Sequence, residues 1–563
     1  MHSEKMGGAP PLTFLSFVKA QKAKMAVAAK ADRNNFYERN MRKMTDTNFS
    51  KAASRFLALF LAIVMLLSFA ACGKDEDDLV DTDEETENEE STEDDGIVSN
   101  VPAALTFNNQ EVRLWIANSE ATKNEVGWTN EPVGIIQQAI VERNYNAEDR
   151  LGIVLTFVDQ GAGTGDKQVE PTRNIILTGG GADGMDLVTG SAYYSSTLAS
   201  EGLLYNLKSD ANENYINVTA PWYNKTFVEQ CSFRDSLYWS VGDFNLTAYD
   251  RSPVTFINED AMLSWSIEED LYQVALDGEW TMEKLQTLIK DVHEELDNAE
   301  GQTKGDFYGL FFNSGAMCVD ALIVASGIRI TTKTDDGLHE LTWAQGKANE
   351  AFAKIYELMY DTSGVYLGTT TKEGGTYYGD ICDYYSEEAF YEQRCIFSFG
   401  ILKAAQTFAT DTTLHYGMLP MPKYSKDQAY ATTPHDGYTL VGIPSNISDR
   451  LAIASATLEI LSEFAYRTVR PVYFETAYKI RYASSENTAL LFDTVIESIT
   501  FDFGTLYSSS LGDPVHQLRG RLVGSGGVAP SNSLSTVTRA FSTAMRLQID
   551  KLITKFDEMK MAE

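Results

Sequence analysis

The sequence predicts an α/β fold in two lobes, on two observations. The first is the order of elements at the start of its globular part. Residues 112–117 (VRLWIA), 153–158 and 185–188 (MDLV) read as strands, and residues 133–142 and 172–177 read as helices. A β-α-β-α-β order implies a parallel, doubly wound sheet. The second is length. Roughly 460 residues follow Val101 in a chain of 563, more than one hydrophobic core holds.

Each element has its own warrant. In 133–142, Ile135, Ile136, Ala139 and Ile140 recur on one helical face. After Trp280, the residues Met282, Leu285, Leu288, Ile289, Val292 and Leu296 keep one-face spacing, and Thr281 is placed to cap that helix. Residues 254–258 (VTFIN) read as a further strand. Ligands in doubly wound sheets bind beyond the carboxyl ends of the strands, which puts Tyr193 and Tyr194 at a ligand edge. The glycine runs at 161–165 and 179–181 lack GxGxxG spacing and a GK[ST] ending, so they read as turns rather than phosphate loops.

The N-terminal part is different in kind. Residues 56–69 form an apolar run behind Lys51 and Arg55, the pattern of a secretory signal peptide and too short to span a membrane. The run ends Ala70-Ala71-Cys72, which resembles a bacterial lipobox, with Phe69 departing from its usual aliphatic residue. That resemblance implies a lipidated Cys72. Residues 1–71 are then an over-long N-terminus plus signal peptide, with translation expected to start further in. Residues 72–100 follow as an acidic tether. Asp75 to Asp95 is nearly all Asp, Glu, Thr, Ser and Asn, which cannot bury enough surface to offset its ordering entropy. Its charge has the wrong sign to bind anionic lipid, so membrane contact is expected through the lipid alone.

The net charge of -34 argues against nucleic acid. Beyond Cys72, the cysteines Cys231, Cys318, Cys382 and Cys395 show no CxxC spacing and no histidine clustering, which argues against zinc; disulfide pairing outside the cell stays open, with buried thiols slightly favoured. No HExxH, GxSxG or SxxK motif appears, and the histidines are scattered. No cofactor and no catalytic residue is expected.

The middle of the chain carries an ordered series of motifs. These are Pro-Trp-Tyr-Asn at 221–224, LYWSVGDFN at 237–245, VTFIN at 254–258 and GEWTMEKLQTLIKDV at 278–292. The series continues through Tyr308-Gly309-Leu310, 397–400 (FSFG), 416–422 (YGMLPMP), Gly442-Ile443-Pro444 and the helix after Ser448. It resembles the extracellular solute-binding proteins of ABC importers, in the branch usually assigned to sugars, over nearly all of the globular part. The resemblance implies a two-lobed type II periplasmic-binding-protein-like fold with a hinge of crossing segments. Lobe 1 would take 101–253 and 418–446, and lobe 2 would take 254–417 and 447–563. It also implies a lipid-anchored receptor on the extracytoplasmic face of a bacterial membrane, delivering a sugar or oligosaccharide to permease subunits and doing no chemistry. A glycan-presenting or sensing lipoprotein without a transporter, or a glycan-degrading enzyme, is the alternative. Relatives often carry a calcium-type loop after the Trp280 helix. Here Ala299 and Gly301 stand where ligand oxygens are needed, so no metal is expected.

Sugars present C–H faces to aromatic rings and hydroxyls to planar polar groups. On that chemistry the candidate ligand-binding residues are Tyr193, Tyr194, Trp239, Asp243, Asn245, His435, Asp436 and Tyr438, with Trp128 and Trp222 as further aromatics. Trp280, ahead of its helix, is expected in the core.

Overall fold

The computed structural model describes residues 97–562, apart from 117–119, 129–130, 160–164, 179–183, 297–300, 369–385, 410, 412, 448, 475–485 and 525–526. These residues belong to one compact unit. Cys72, the apolar run, most of the acidic tether, Cys382, most of the calcium-type loop and the glycine runs lie outside the described residues.

Lobe 1 begins with β1 (Gln110–Ile116), β2 (Ile153–Asp159) and β3 (Leu187–Ser191). β1 pairs in parallel with β2 on one edge and with β3 on the other. The helix Gly134–Leu151 joins β1 to β2 and buries Ala139 and Ile140, whereas Ile135 at its start is exposed. It stops at Gly152, whose φ of 59° is left-handed. A Cβ there would sit 2.4 Å from Thr106 Oγ1, so glycine meets both the conformation and the close approach.

Lobe 2 is built on β4 (Pro253–Asn258), β5 (His293–Glu294), β6 (Phe307–Asn313), β9 (Val365–Gly368), β10 (Cys395–Ile401) and β11 (Tyr416–Leu419). Their order is β11-β4-β10-β6-β5, with β9 also on β6. Every residue of β4, β6 and β10 is buried, as near-continuous apolar runs require when both faces are covered. β7 (Thr331–Lys333) and β8 (His339–Leu341) pair antiparallel as a separate hairpin, with Thr331, His339 and Leu341 buried. The chain then returns to lobe 1 as β12 (Thr439–Gly442), antiparallel to β3, which completes the order β12-β3-β1-β2.

Thr281 caps the helix Met282–Ile289 by accepting the Lys284 amide at 3.1 Å. That helix is shorter than its apolar spacing predicts. Past Ile289 the chain turns to pair His293 with Tyr308 on the edge of β6, which leaves Leu296 49% exposed. Trp280 is fully buried, with its Nε1 donating to the Pro420 carbonyl at 3.0 Å. Cys231, Cys318 and Cys395 are buried thiols, and the Cys318 Sγ lies 3.5 Å from the Phe399 carbonyl.

The lobe boundaries fall differently from the expected ones at two places. β11 pairs with β4 and so belongs wholly to lobe 2. The following stretch stays there, because Lys423 bridges to Thr281 and the Tyr430 hydroxyl donates to the Ala275 carbonyl. The chain crosses only near 432–436. There the His435 amide donates to the Arg251 carbonyl at 2.9 Å, and Thr432 Oγ1 donates to the Pro253 carbonyl at 3.2 Å. These two crossings therefore run side by side, and a third carries the chain from the helix Leu451–Phe464 of lobe 1 back to lobe 2. The helix Leu451–Phe464, expected in lobe 2, packs against Gly134–Leu151 and β1. Arg450 pairs with Asp186 at its start, and Glu459 accepts the Tyr223 hydroxyl at 2.8 Å. Its unusually complete burial reflects both of these neighbours.

The C-terminal helix Leu534–Ala562 reaches across both lobes. Ser542 Oγ pairs with Trp343 Nε1 at 3.0 Å on the lobe 2 side. Phe556 sits among Phe233, Tyr238, Phe503 and Tyr507 on the other side.

Candidate ligand site at the seam between the lobes

The β3–β12 ladder continues past the ends of both strands. The Ala192 amide donates to the Tyr438 carbonyl at 2.9 Å, and the Tyr193 amide donates to the Asp436 carbonyl at 3.0 Å. This sets Tyr193, His435, Asp436 and Tyr438 together at the carboxyl end of β3. Tyr194 lies at the rim, 38% exposed, with its ring edge-on to Tyr193 at 4.8 Å. Tyr438 is buried and packs edge-on against Phe501 at 5.6 Å.

Lobe 2 supplies the opposite wall. The Tyr193 hydroxyl donates to Asp513 Oδ1 at 2.7 Å, and Ser509 Oγ donates to the Tyr193 carbonyl at 3.3 Å. Asp513 precedes the helix Pro514–Val523, which carries His516 and Arg519. Arg519 forms an ion pair with Asp320 of the helix Ala316–Ala325 and contacts His516 Nδ1 at 3.2 Å. Two small cavities open here. One lies between Tyr193, Asp436, Tyr438, Phe501 and Thr505, and the other between Asp320, Ile330, Asp502 and Val515. Each holds about 10 Å³, roughly the space of one water.

The electrostatics are those of charged groups partly removed from water. Burial raises the Asp320 carboxyl to about 7; Arg519 opposes the shift and Asp436 adds to it. Burial, and then the Asp513 carboxylate, push the Tyr193 phenol up. Burial pulls the His435 imidazole down, against the attraction of Asp436 and with the repulsion of Arg251 and Arg519.

The loop 239–245 lies elsewhere. Trp239 is 1% exposed, and its ring lies so close over Gly442 of β12 that a Cβ there would be 3.0 Å from it. Asp243 is buried against Arg470 at 3.3 Å and accepts the Tyr249 hydroxyl at 3.3 Å; burial raises its carboxyl to about 6. Asn245 Nδ2 donates to the Thr439 carbonyl at 2.9 Å. All three side chains serve the interior of lobe 1 and are not brought to the seam. Trp222 is likewise fully buried. Trp128, by contrast, is 36% exposed near the carboxyl end of β2, stacked on Phe157 with Lys123 over its ring.

The seam also contains Asp320, Ser509, Asp513 and Arg519, which the sequence reading passed over. Asp513-Pro514 marks a helix start in sequence. Nothing in that signal says the helix faces Tyr193, 320 positions away.

No family model matches the chain, and no curated protein is detectably similar in sequence. Solved structures do match. UgpB from Mycobacterium tuberculosis in complex with glycerophosphocholine is 14% identical with a TM-score of 0.50, over 78% of this chain and 100% of that one. The ABC substrate-binding protein Lmo0181 from Listeria monocytogenes in complex with cycloalternan is 11% identical with a TM-score of 0.45, over 80% of this chain and 99% of that one. The fold is α/β and two-lobed, of the type II periplasmic-binding-protein kind.

Proposed function

We propose that the chain is the solute-binding receptor of an ABC importer, with an uncharged sugar or oligosaccharide as its ligand. The observation that carries this reading is the seam itself. Tyrosines and planar polar groups of lobe 1 (Tyr193, Tyr194, His435, Asp436 and Tyr438) meet carboxylates and a guanidinium of lobe 2. Aromatic faces suit sugar C–H surfaces, and carboxylates suit hydroxyl donors. Trp239, Asp243 and Asn245 would support the site from behind rather than touch the ligand. The protein does no chemistry in this reading; it closes on its ligand and hands it to permease subunits.

Lipidation at Cys72 and an extracytoplasmic position belong to the same reading and rest on the sequence. Among the described residues, no helix is long and apolar enough to cross a membrane. A thermal-shift screen against mono- and oligosaccharides tests the ligand class, because a bound ligand raises apparent stability by mass action. A rise with at least one neutral sugar is expected. No rise with any sugar, together with a rise for an amino acid or peptide, overturns it.

A further inference from the structure

We propose that the hydrogen bond from Tyr193 to Asp513 is a latch between the lobes, which must open before a ligand enters the seam. Each partner is anchored in its own lobe. Tyr193 follows β3 directly, and its amide is held by the Asp436 carbonyl of the returning chain. Asp513 opens the Pro514–Val523 helix, which Arg519 ties to Asp320 of the Ala316–Ala325 helix. The hydroxyl-to-carboxylate distance of 2.7 Å is that of a charge-assisted bond. Ser509 Oγ adds a second link through the Tyr193 carbonyl. Asp436 also attracts Arg519 across the seam.

Asp513 reaches Tyr193 from a costly backbone conformation. Its φ is 57° and ψ 55°, left-handed for a residue with a Cβ, directly after Gly512 at φ 84°. The neighbouring cavity of about 10 Å³ has room for one water, so no sugar ring fits while the bond holds.

The latch also selects among ligands. A sugar hydroxyl offers Asp513 the same kind of donor that Tyr193 withdraws, so one bond replaces another. A phosphate or carboxylate group offers no donor, and it meets Asp320, Asp436 and Asp513 around Arg519. The latch therefore favours a neutral polyhydroxyl ligand over a phosphorylated or carboxylated one. This selectivity rests on the solute-binding reading; the interlobe bond itself does not.

The test uses the full chain with Tyr193→Phe, Asp513→Gly, which removes the acceptor and tolerates the left-handed backbone, and the double variant. Small-angle scattering without added sugar should show a larger radius of gyration in each single variant, and no further increase in the double. Unchanged profiles, or additive increases, overturn the latch. Thermal melts identify any variant that expands because it unfolds, and Ser509→Ala then serves as an independent weakening of the same contact. Calorimetric titration with maltotetraose forms a second arm. Tyr193→Phe should bind it about tenfold more tightly than the parent, the scale of one hydrogen bond to a charged group. Weaker binding by Tyr193→Phe would make the Tyr193 hydroxyl a ligand contact and overturn its role as competitor. If the parent does not bind maltotetraose, that bears on the sugar reading, and the scattering result still decides the latch.

Discussion

The His339 ring lies flat on Phe503, with centroids 4.0 Å apart and planes within 8°. His339 belongs to β8 of the β7–β8 hairpin, and its Nε2 is 3.0 Å from the Ser232 carbonyl of the segment after the helix Lys225–Cys231. A carbonyl only accepts, so the neutral ring carries its proton on Nε2.

Burial holds this imidazole at about 4 against an ordinary 6.5, with Lys333 nearby opposing protonation further. In the unfolded chain the ring takes up its proton near 6.5. The stability that comes from keeping it neutral is therefore whole above pH 6.5 and is lost as pH falls from 6.5 to 4. The loss is about 3 kcal/mol. Melting temperatures measured across that window should fall less in His339→Gln than in the parent. Equal falls would show that another group sets the acid limit.

Phe556 is wholly buried, and four aromatic rings surround it. Phe556→Ala should cost about 3–5 kcal/mol in urea unfolding, because rings from separate segments cannot all collapse into the space. A cost below about 1 kcal/mol would mean the C-terminal end of the helix detaches freely.

Asp243 and Arg470 are unequal partners, the carboxylate buried and the guanidinium side chain 40% exposed. Arg470→Met should destabilise by about 2–3 kcal/mol, less than for a fully enclosed pair, because Asp243 is left dry without its counter-charge. Adding Asp243→Asn should restore most of that loss. If the double variant is no more stable than the single one, the pair is not what holds this region.

Mass spectrometry of the native protein should find a diacylated cysteine at Cys72 as the mature N-terminus. Cys72→Ser should be released from the membrane or remain uncleaved. A mature start elsewhere, with Cys72 unmodified, removes the anchor.

Elements whose pattern is local could be read from the sequence. β1 and β2 emerge as strand-like runs on either side of a helical one, and Thr281 from its place before an apolar face. The Leu451–Phe464 helix could not be assigned a lobe, because an apolar sequence announces burial and not the surface that causes it. The site divides in the same way. Tyr193 and Tyr194 follow the logic of strand ends. Asp513 and Arg519 depend on tertiary packing. Trp239, Asp243 and Asn245 show the opposite error, because an aromatic beside short polar residues suits a ligand loop and a satisfied interior equally well.

The side-by-side crossings at Arg251–His435 and Pro253–Thr432 limit how the lobes can move. A single connecting strand would act as a ball joint, free to swivel as well as to bend. Two strands bonded to each other act as a door hinge, with rotation easy about the line joining them and torsion resisted by both, and the later crossing and the C-terminal helix are further ties against swivelling. In the receptor proposed above, opening and closing would follow one arc, and Tyr193 would meet the same face of the Pro514–Val523 helix on every return.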